Sequence, residues 1–531
     1  MTAPQAINEP GLTIAYNPGT GEEIGHIPNT DLTRLPEMFS HARAAQKIWA
    51  RRSFKERAHA LRLMRDYIVE NAEELTEIVS KSNGKTRVDA LATEVLPCTL
   101  ACDWYGKHAE KALQEKKLPI DSLLFINKRT VIQRKPVGVV GIISPWNYPL
   151  SIPFGEVIMG LMAGNAIILK VAAATPLVGE AIEKIITAGN LPKGLFQQIV
   201  GSGGAVSRAF FAHGIDKIFF TGSVAVGKQL MEQAAKTLTP LSLELGGNDP
   251  MLVFEDADLE RATNGALWAG FQNAGQSCGG VERVYVHESV YDPFMALMKS
   301  KTEALRHGMG QQFDVDIGSL TTLGQLNTVK QHLEEALSKG AEIVAQSKAV
   351  GAQDGFFHPA TLLANTNNDM LIIKEETFGP VIPVMKFATE EEAIAQANES
   401  DLALTSSIWT KDLARGRRIA AELESGVTTI NDHLYTHGLS EMPWGGWKHS
   451  GLGRTHGHEG LQEMTHVKAV NWDILPVKRN LWWYPFDETT YNTLLNAQRM
   501  MYPRDAKEFV GSALGAAPQM VKKMFTKWKH K

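Results

Sequence analysis

The sequence predicts an α/β fold built from two doubly wound domains, and three observations carry that prediction. Between 137 and 254 the short apolar runs "VGVVGII", "AIILK", "LFQQIV", "KIFF", "LSLEL" and "MLVF" alternate with helical segments, the signature of βαβ units on a parallel sheet. A second series, "VERVYVH", "AEIVA", "VIPVMKF", "SSIWT" and "VTTIN", runs from about 257 to 450. At 531 residues, with 44% apolar and 21% charged side chains, the chain is long enough for two or three domains with large cores. Two α/β domains imply a cleft between them, where ligands tend to bind.

Taken in order, the N-terminal "MTAPQAINEPGLTIAYNPGTGEEIG" has neither a charged segment nor an apolar one of secretory type, so a reducing, cytoplasmic setting is expected. From 35 to 115 the apolar period is helical, with an Asn/Gly break at "KSNGKT". Cys98 and Cys102 lie one helical turn apart on that stretch and read as ordinary helix residues, with no metal-ligand set around them. After it, "DSLLFINKRTVIQRKPVGVVGIIS" reads as extended chain leading into a buried strand. The net charge of −4 is small for this length, which argues against nucleic acid as a partner. No apolar stretch is long enough to span a bilayer. The last fifty residues differ, opening on "LWWYPF" and closing on "MVKKMFTKWKHK". On a helix, Met520, Val521, Met524, Phe525 and Trp528 would form one apolar stripe and Lys522, Lys523, Lys527, Lys529 and Lys531 the remaining surface. Such a helix either docks on its own subunit or a neighbour, or lies as a peripheral anchor on an anionic membrane through 519–531.

Three local patterns point to chemistry. In "GFQNAGQSCGG", Cys278 sits among Gly275, Gly279 and Gly280, where a nucleophile open to a ligand and a small buried residue are both consistent with the local sequence. In "LELGGNDP", Glu244 ends an apolar strand, 34 positions before Cys278, either as a solvent-exposed acid or as a functional one. In "FFTGSVAVGKQL", a strand, a Gly-Ser turn and a helix would aim backbone N–H groups at an anion such as a phosphate. The dinucleotide fingerprint G-x-G-x-x-G is absent, since "GSGGAV" lacks its third glycine and Gly222 to Gly227 is G-x-x-x-x-G.

These pieces in this order resemble the aldehyde dehydrogenase superfamily, from "YNPGTGEEIG" through "PWNYP", "AGNAIILK", "FTGSVAVG", "LELGG", "GQSC" and "EETFGPV" to "PWGGWKHSGLGR". The resemblance implies a dinucleotide-binding domain (1–115 and 137–247), a catalytic domain (248–450), an oligomerisation arm (116–136 and 451–475) and a C-terminal extension (476–531). It implies a homodimer or homotetramer, and oxidation of an aldehyde with NAD or NADP. Cys278 would attack the carbonyl, Asn147 of "PWNYP" would hold the oxyanion, and Glu244 would activate the water that opens the thioester. Trp146, Lys170, Gly201, Gly222, Ser223, Gly227, Glu376 and Phe378 match cofactor-binding positions, and no metal is implied.

The sequence departs from the family at three places. Ala173 stands where many NAD-preferring members carry a ribose-binding glutamate, which leaves room for NADP beside NAD. Glu156 stands where many have a lysine; it would join a proton path or pair with a nearby cation. Val171 replaces a usual proline. Ser277 and Gly279 flank the cysteine with small side chains, so the substrate entrance should be wide and suit aliphatic or aromatic aldehydes. The rival readings are a CoA-acylating or esterase-type enzyme on this fold, and a catalytically silent binding protein on the same scaffold.

Overall fold

The computed structural model describes residues 8–9, 11–310 and 313–527. Trp528, Lys529 and Lys531 of the expected terminal stripe lie outside the described residues. Two compact units emerge, one taking in the chain to Ala112 and Pro136–Thr465, the other Leu113–Lys135 and the chain from His466 onward.

The first unit holds two large sheets. One runs, in spatial order, Gly451–Leu452, Leu241–Glu244, Lys217–Thr221, Val139–Ile143, Ala166–Lys170 and Phe196–Ile199. Its five longer strands are parallel, and only the two-residue edge strand is antiparallel. Helices cover both faces of such a sheet, so its central strands read as unbroken apolar runs; every residue of Val139–Ile143 and Ala166–Lys170 is buried. The chain order reverses between Val139–Ile143 and Lys217–Thr221, and a doubly wound sheet opens its crevice at the carboxyl ends of the strands flanking such a reversal. Trp146, Asn147 and Ser223 sit just beyond those carboxyl ends, and Lys170 and Glu244 end the next strand on either side.

The other sheet runs Glu342–Gln346, Thr361–Ala364, Val381–Phe387, Val281–His287, Asp249–Val253, Thr405–Trp409 and Val427–Ile430. All of its pairings are parallel except that of Glu342–Gln346. Its core is continuous from Met251 to Leu434 and includes the fully buried rings of Phe254 and Phe294. The expected helical stretch is present as Leu35–Trp49, Phe54–Glu70, Ala72–Asn83 and Leu96–Leu113. Ser53 and Glu56 close a reciprocal capping box, and Gly84 ends Ala72–Asn83 in the left-handed conformation foreseen at "KSNGKT". Cys98 and Cys102 are buried on Leu96–Leu113, and burial pushes both thiols up, away from reactivity.

The second unit combines a three-stranded sheet, ordered Thr465–Asp473, Lys128–Pro136 and Lys116–Leu118, with the helices Glu488–Met501 and Ala506–Phe525. The helices meet through small side chains, Thr493 and Ala497 on one and Ser512 and Ala516 on the other. This corrects the expected terminal stripe. The helix begins at Ala506, and its packed arc is the one around Ser512 and Ala516, so Met520 and Met524 turn towards the half-buried side while Val521 and Phe525 are 56% and 53% exposed. No helix among the described residues is long and apolar enough to cross a membrane.

Candidate active site

Cys278 follows the helix Leu259–Phe271 through the tight turn Gln272–Gly275. Asn273, Ala274 and Gly275 are left-handed in succession (φ 53°, 54° and 72°), a strained path for the first two residues. Gly275 cannot be replaced without cost, because a Cβ there would stand 2.2 Å from the carbonyl oxygen of Gly379. Hydrogen bonds fix the turn: Asn273 Nδ2 donates to the carbonyls of Asn147 (2.9 Å) and Gln276 (3.1 Å), and Thr321 N–H donates to Gln276 Oε1 (2.9 Å). Beyond the cysteine, His433 Nε2 lies 3.0 Å from the carbonyl of Gly279. A carbonyl only accepts, and burial lowers the ring's pKa to about 4, so His433 is neutral with its proton on Nε2.

Glu244 ends the strand Leu241–Glu244 and is buried, which excludes the solvent-exposed acid as its role. Trp444 Nε1 donates to Oε1 at 2.7 Å, and Cys278 Sγ approaches the same oxygen at 3.5 Å. Burial, then the charges of Glu244, Glu376 and Asp249, push the Cys278 thiol well above its usual range. The resting group is therefore a thiol that donates to Glu244. Glu156, on the buried helix Ser151–Ala163, makes no ion pair among the described residues and its Oε2 has no hydrogen-bond partner. The expected pairing with a cation is thus absent; burial, then the neighbouring Glu244, hold the Glu156 carboxyl well above the usual carboxylate range.

Asn147 stands on the loop after Val139–Ile143, with Nδ2 3.1 Å from the carbonyl of Gln276. One amide hydrogen is thereby committed to orientation, and the second remains for a ligand. The loop is held from beneath. Lys85 Nζ and Asn83 Nδ2 donate to the Asn147 carbonyl at 3.0 and 3.3 Å, and Lys85 pairs with Glu94 at 2.7 Å with both side chains fully buried. Glu94 sits on the π-helical turn Leu91–Val95 and accepts the N–H groups of Leu150 and Ser151, at 2.9 and 2.8 Å, satisfying the start of Ser151–Ala163. Sequence reasoning missed Asn83, Lys85, Glu94, His433 and Trp444. A Lys and a Glu nine positions apart in a helical stretch look like any solvated pair.

Two cavities reach Cys278. A groove of about 300 Å³ is lined by Trp146, Asn147, Gly222, Ser223, Glu376 and Phe378, with Glu244 and Cys278 at its inner end. Phe378, itself left-handed at φ 51°, meets Trp146 edge-to-face at 5.7 Å, and Glu282 holds it there by accepting the N–H groups of Thr377 and Phe378. Glu376 accepts Gly247 N–H at 2.9 Å, and burial raises its carboxyl to about 7. Ser223 caps the helix Val224–Ala235, whose first N–H groups are available to an anion. Three matched positions do not line this groove. Lys170 is buried at its strand end with burial lowering it to about 8, Gly201 (φ 152°) has open space where a Cβ would be, and Gly227 lets its helix pack on Leu245. The groove's own set, a helix N-terminus and a carboxylate beside an aromatic pair, fits a dinucleotide.

The second cavity, about 170 Å³, is apolar: Tyr148, Trp268, Leu434, Tyr435 and Trp444 surround Ser277 and Cys278. No Lys or Arg lines it among the described residues, and burial keeps its His437 neutral. Gly279 is not part of this entrance; a Cβ there would meet the Trp444 indole at 2.8 Å, so its small size serves packing.

Comparison with known proteins matches this arrangement. The model of the aldehyde dehydrogenase family fits residues 9–470. The 4,4'-diapolycopene aldehyde oxidase of Methylomonas sp is 35% identical, over 93% of this chain and 92% of that one. The succinate semialdehyde dehydrogenase of Acinetobacter baylyi is 35% identical, over 86% of this chain and 93% of that one. Among solved structures, an aldehyde dehydrogenase from Brucella melitensis superposes with a TM-score of 0.82 at 34% identity, covering 88% of this chain and 94% of its own. An NAD+ complex of the aldehyde dehydrogenase from Bacillus cereus gives 0.82 at 32% identity, over 87% and 94%. The chain belongs to the aldehyde dehydrogenase family and is an NAD(P)-dependent oxidoreductase of aldehydes.

Proposed function

We propose that the chain oxidises a neutral, apolar aldehyde to its carboxylic acid through a thioester on Cys278. The observation that carries this reading is Cys278 at the meeting of an apolar tunnel and a dinucleotide-type groove, 3.5 Å from the Glu244 carboxylate. On attack, the thiol proton passes to Glu244 as the S–C bond forms, and the carbonyl oxygen takes the electron pair. The free N–H of the Asn147 amide and the N–H of Cys278 hold that oxyanion. The groove residues would hold an oxidised nicotinamide, which would supply the hydride acceptor needed for the oxyanion on Cys278 to collapse to the thioester. Glu244 releases the thiol's proton to solvent and then takes a proton from water; the hydroxide adds to the acyl carbon, the C–S bond breaks as the sulfur takes that proton back from Glu244, and the acid leaves.

A buried carboxylate beside the sulfur favours hydrolysis over transfer to CoA. Trp146, Gly222, Ser223, Glu376 and Phe378 line the cofactor groove of this reading, with Lys170 on the adenosine ribose. Ala173 removes the carboxylate that would repel a 2′-phosphate, so both NAD and NADP serve, NAD ahead. The assignment of 1–115 with 137–247 to the cofactor and of 248–450 to catalysis belongs to the same reading. So do a homodimer or homotetramer and a cytoplasmic location.

For the substrate, the relatives' names divide between an apolar aldehyde and succinate semialdehyde, which carries a carboxylate. A tunnel without a cation supports the former, since a buried unpaired carboxylate is costly. The test is kcat/KM for hexanal, an aromatic aldehyde and succinate semialdehyde, with NAD and with NADP, against Cys278→Ser. The apolar aldehydes should exceed succinate semialdehyde by about tenfold or more. The reverse order would sink the substrate class, and a wild type as inactive as Cys278→Ser throughout would sink the site.

A further inference from the structure

The second unit leaves an apolar helical face uncovered. On Ala506–Phe525, Val510, Leu514, Ala517, Val521 and Phe525 recur at spacings of 4, 3, 4 and 4, one stripe along the helix. Leu514 is 72% exposed and Val510 55%, and the stripe lies diametrically opposite the buried arc of Ser512 and Ala516. Neither helix of the pair covers it. At its C-terminal end the segment 478–486 wraps the helix: the N–H groups of Lys478 and Arg479 donate to the Met524 carbonyl, and Arg479 Nη2 donates to Thr526 Oγ1 at 2.9 Å. That segment, whose Pro485 carbonyl accepts Lys523 Nζ at 3.3 Å, adds the exposed rings of Trp483, Tyr484 and Phe486 at that end of the helix, where Lys522 and Lys527 are also exposed.

Charge decides what this face fits. Residues 476–531 carry ten of the chain's 54 Lys and Arg but only four of its 58 Asp and Glu, a surplus of six positive charges in a molecule of net −4. Two copies of such a segment repel one another, and lysines are depleted at the centres of protein interfaces. An anionic lipid surface attracts every one of those charges, while Trp and Tyr rings prefer the headgroup level and an apolar stripe of this width lies in the acyl boundary.

We propose that the helix Ala506–Phe525 and the aromatic segment 478–486 form a docking face for an anionic phospholipid bilayer, with Val510, Leu514, Val521 and Phe525 buried in the interface and Lys522 and Lys527 on the phosphates. The face goes beyond the catalytic reading and stands independently of it. No spanning segment is required.

The full chain is sedimented with vesicles of phosphatidylcholine, or of phosphatidylcholine with phosphatidylglycerol, at low and at high salt. The wild type should pellet with the phosphatidylglycerol vesicles, release as salt rises, and bind pure phosphatidylcholine about tenfold or more weakly. Leu514→Glu with Val521→Glu, and separately Lys522→Glu with Lys527→Glu, should each reduce binding about tenfold or more. Both should keep the oxidation rate on a small soluble aldehyde. If the glutamates on the stripe unfold the helix, seen as lost ellipticity, the lysine pair on exposed positions tests the proposal alone. A wild type that stays in the supernatant with phosphatidylglycerol overturns it. So do binding equal on both vesicles and unchanged by the lysine variants, and a vesicle-free dimer that falls apart in Leu514→Glu with Val521→Glu.

Discussion

Glu244 serves the sulfur in two opposed ways: its charge disfavours the thiolate, and its oxygen is the acceptor that lets the thiol proton leave. Removing the charge while keeping the shape separates them. In Glu244→Gln the thiol loses a neighbouring negative charge, so its pKa moves down. Alkylation of the free enzyme by iodoacetamide, which reports the thiolate, should then rise at a lower pH than in the wild type, whose rate should still be climbing above pH 9. Turnover should fall by about 10²–10⁴, with acyl-enzyme accumulating, because no base remains for water. An alkylation profile that does not move would mean that Glu244 leaves the thiol untouched. At this scale Cys278, Glu244 and Asn147 were legible as residue types in ordered motifs. Their partner Trp444 was not, since a hydrogen bond across 200 positions leaves no local pattern.

At the scale of elements, the oxyanion loop depends on a buried ion pair carried by the N-terminal helices. Lys85 neutralises Glu94 and holds the Asn147 carbonyl; Glu94 also takes two N–H groups at the start of Ser151–Ala163. Lys85→Met leaves a buried carboxylate without its cation and should cost about 3–5 kcal/mol, read from urea unfolding, with kcat lowered as Asn147 loses its anchor. Lys85→Met with Glu94→Leu should recover only part, because the two N–H groups stay orphaned. A single variant within about 1 kcal/mol of wild type would mean that the pair is solvated in practice. The helices and strands themselves were legible from apolar period, and "KSNGKT" from its glycine. Which helix reaches under which loop was not, because period fixes a buried face without naming what covers it. The terminal stripe shows the same limit: residues 520–528 alone fit an amphipathic arc, but the packed arc is set by the small residues Ser512 and Ala516 upstream.

At the scale of the molecule, the sheet of the second unit ends in Thr465–Asp473, nine residues long and mostly exposed, with no further strand on its outer edge among the described residues. Long open edges pair with other chains unless blunted, and this one carries only Lys468 and, at its end, Asp473 as charged side chains. Two identical edges related by a two-fold axis pair antiparallel, the simplest closed arrangement. The family resemblance had pointed to these residues as an oligomerisation arm, and the sheet supplies a physical reason that no motif states. The chain should therefore elute, by size exclusion with light scattering, at about twice or four times its 58.3 kDa. Val467→Glu with Trp472→Glu, two exposed apolar side chains on that strand, should drive the mass towards the monomer by setting like charges across the edge. The stripe variants Leu514→Glu and Val521→Glu should leave the mass alone, which separates assembly through the strand from docking through the helix. A wild type that runs as a monomer at micromolar concentration would show that the edge stays open in solution.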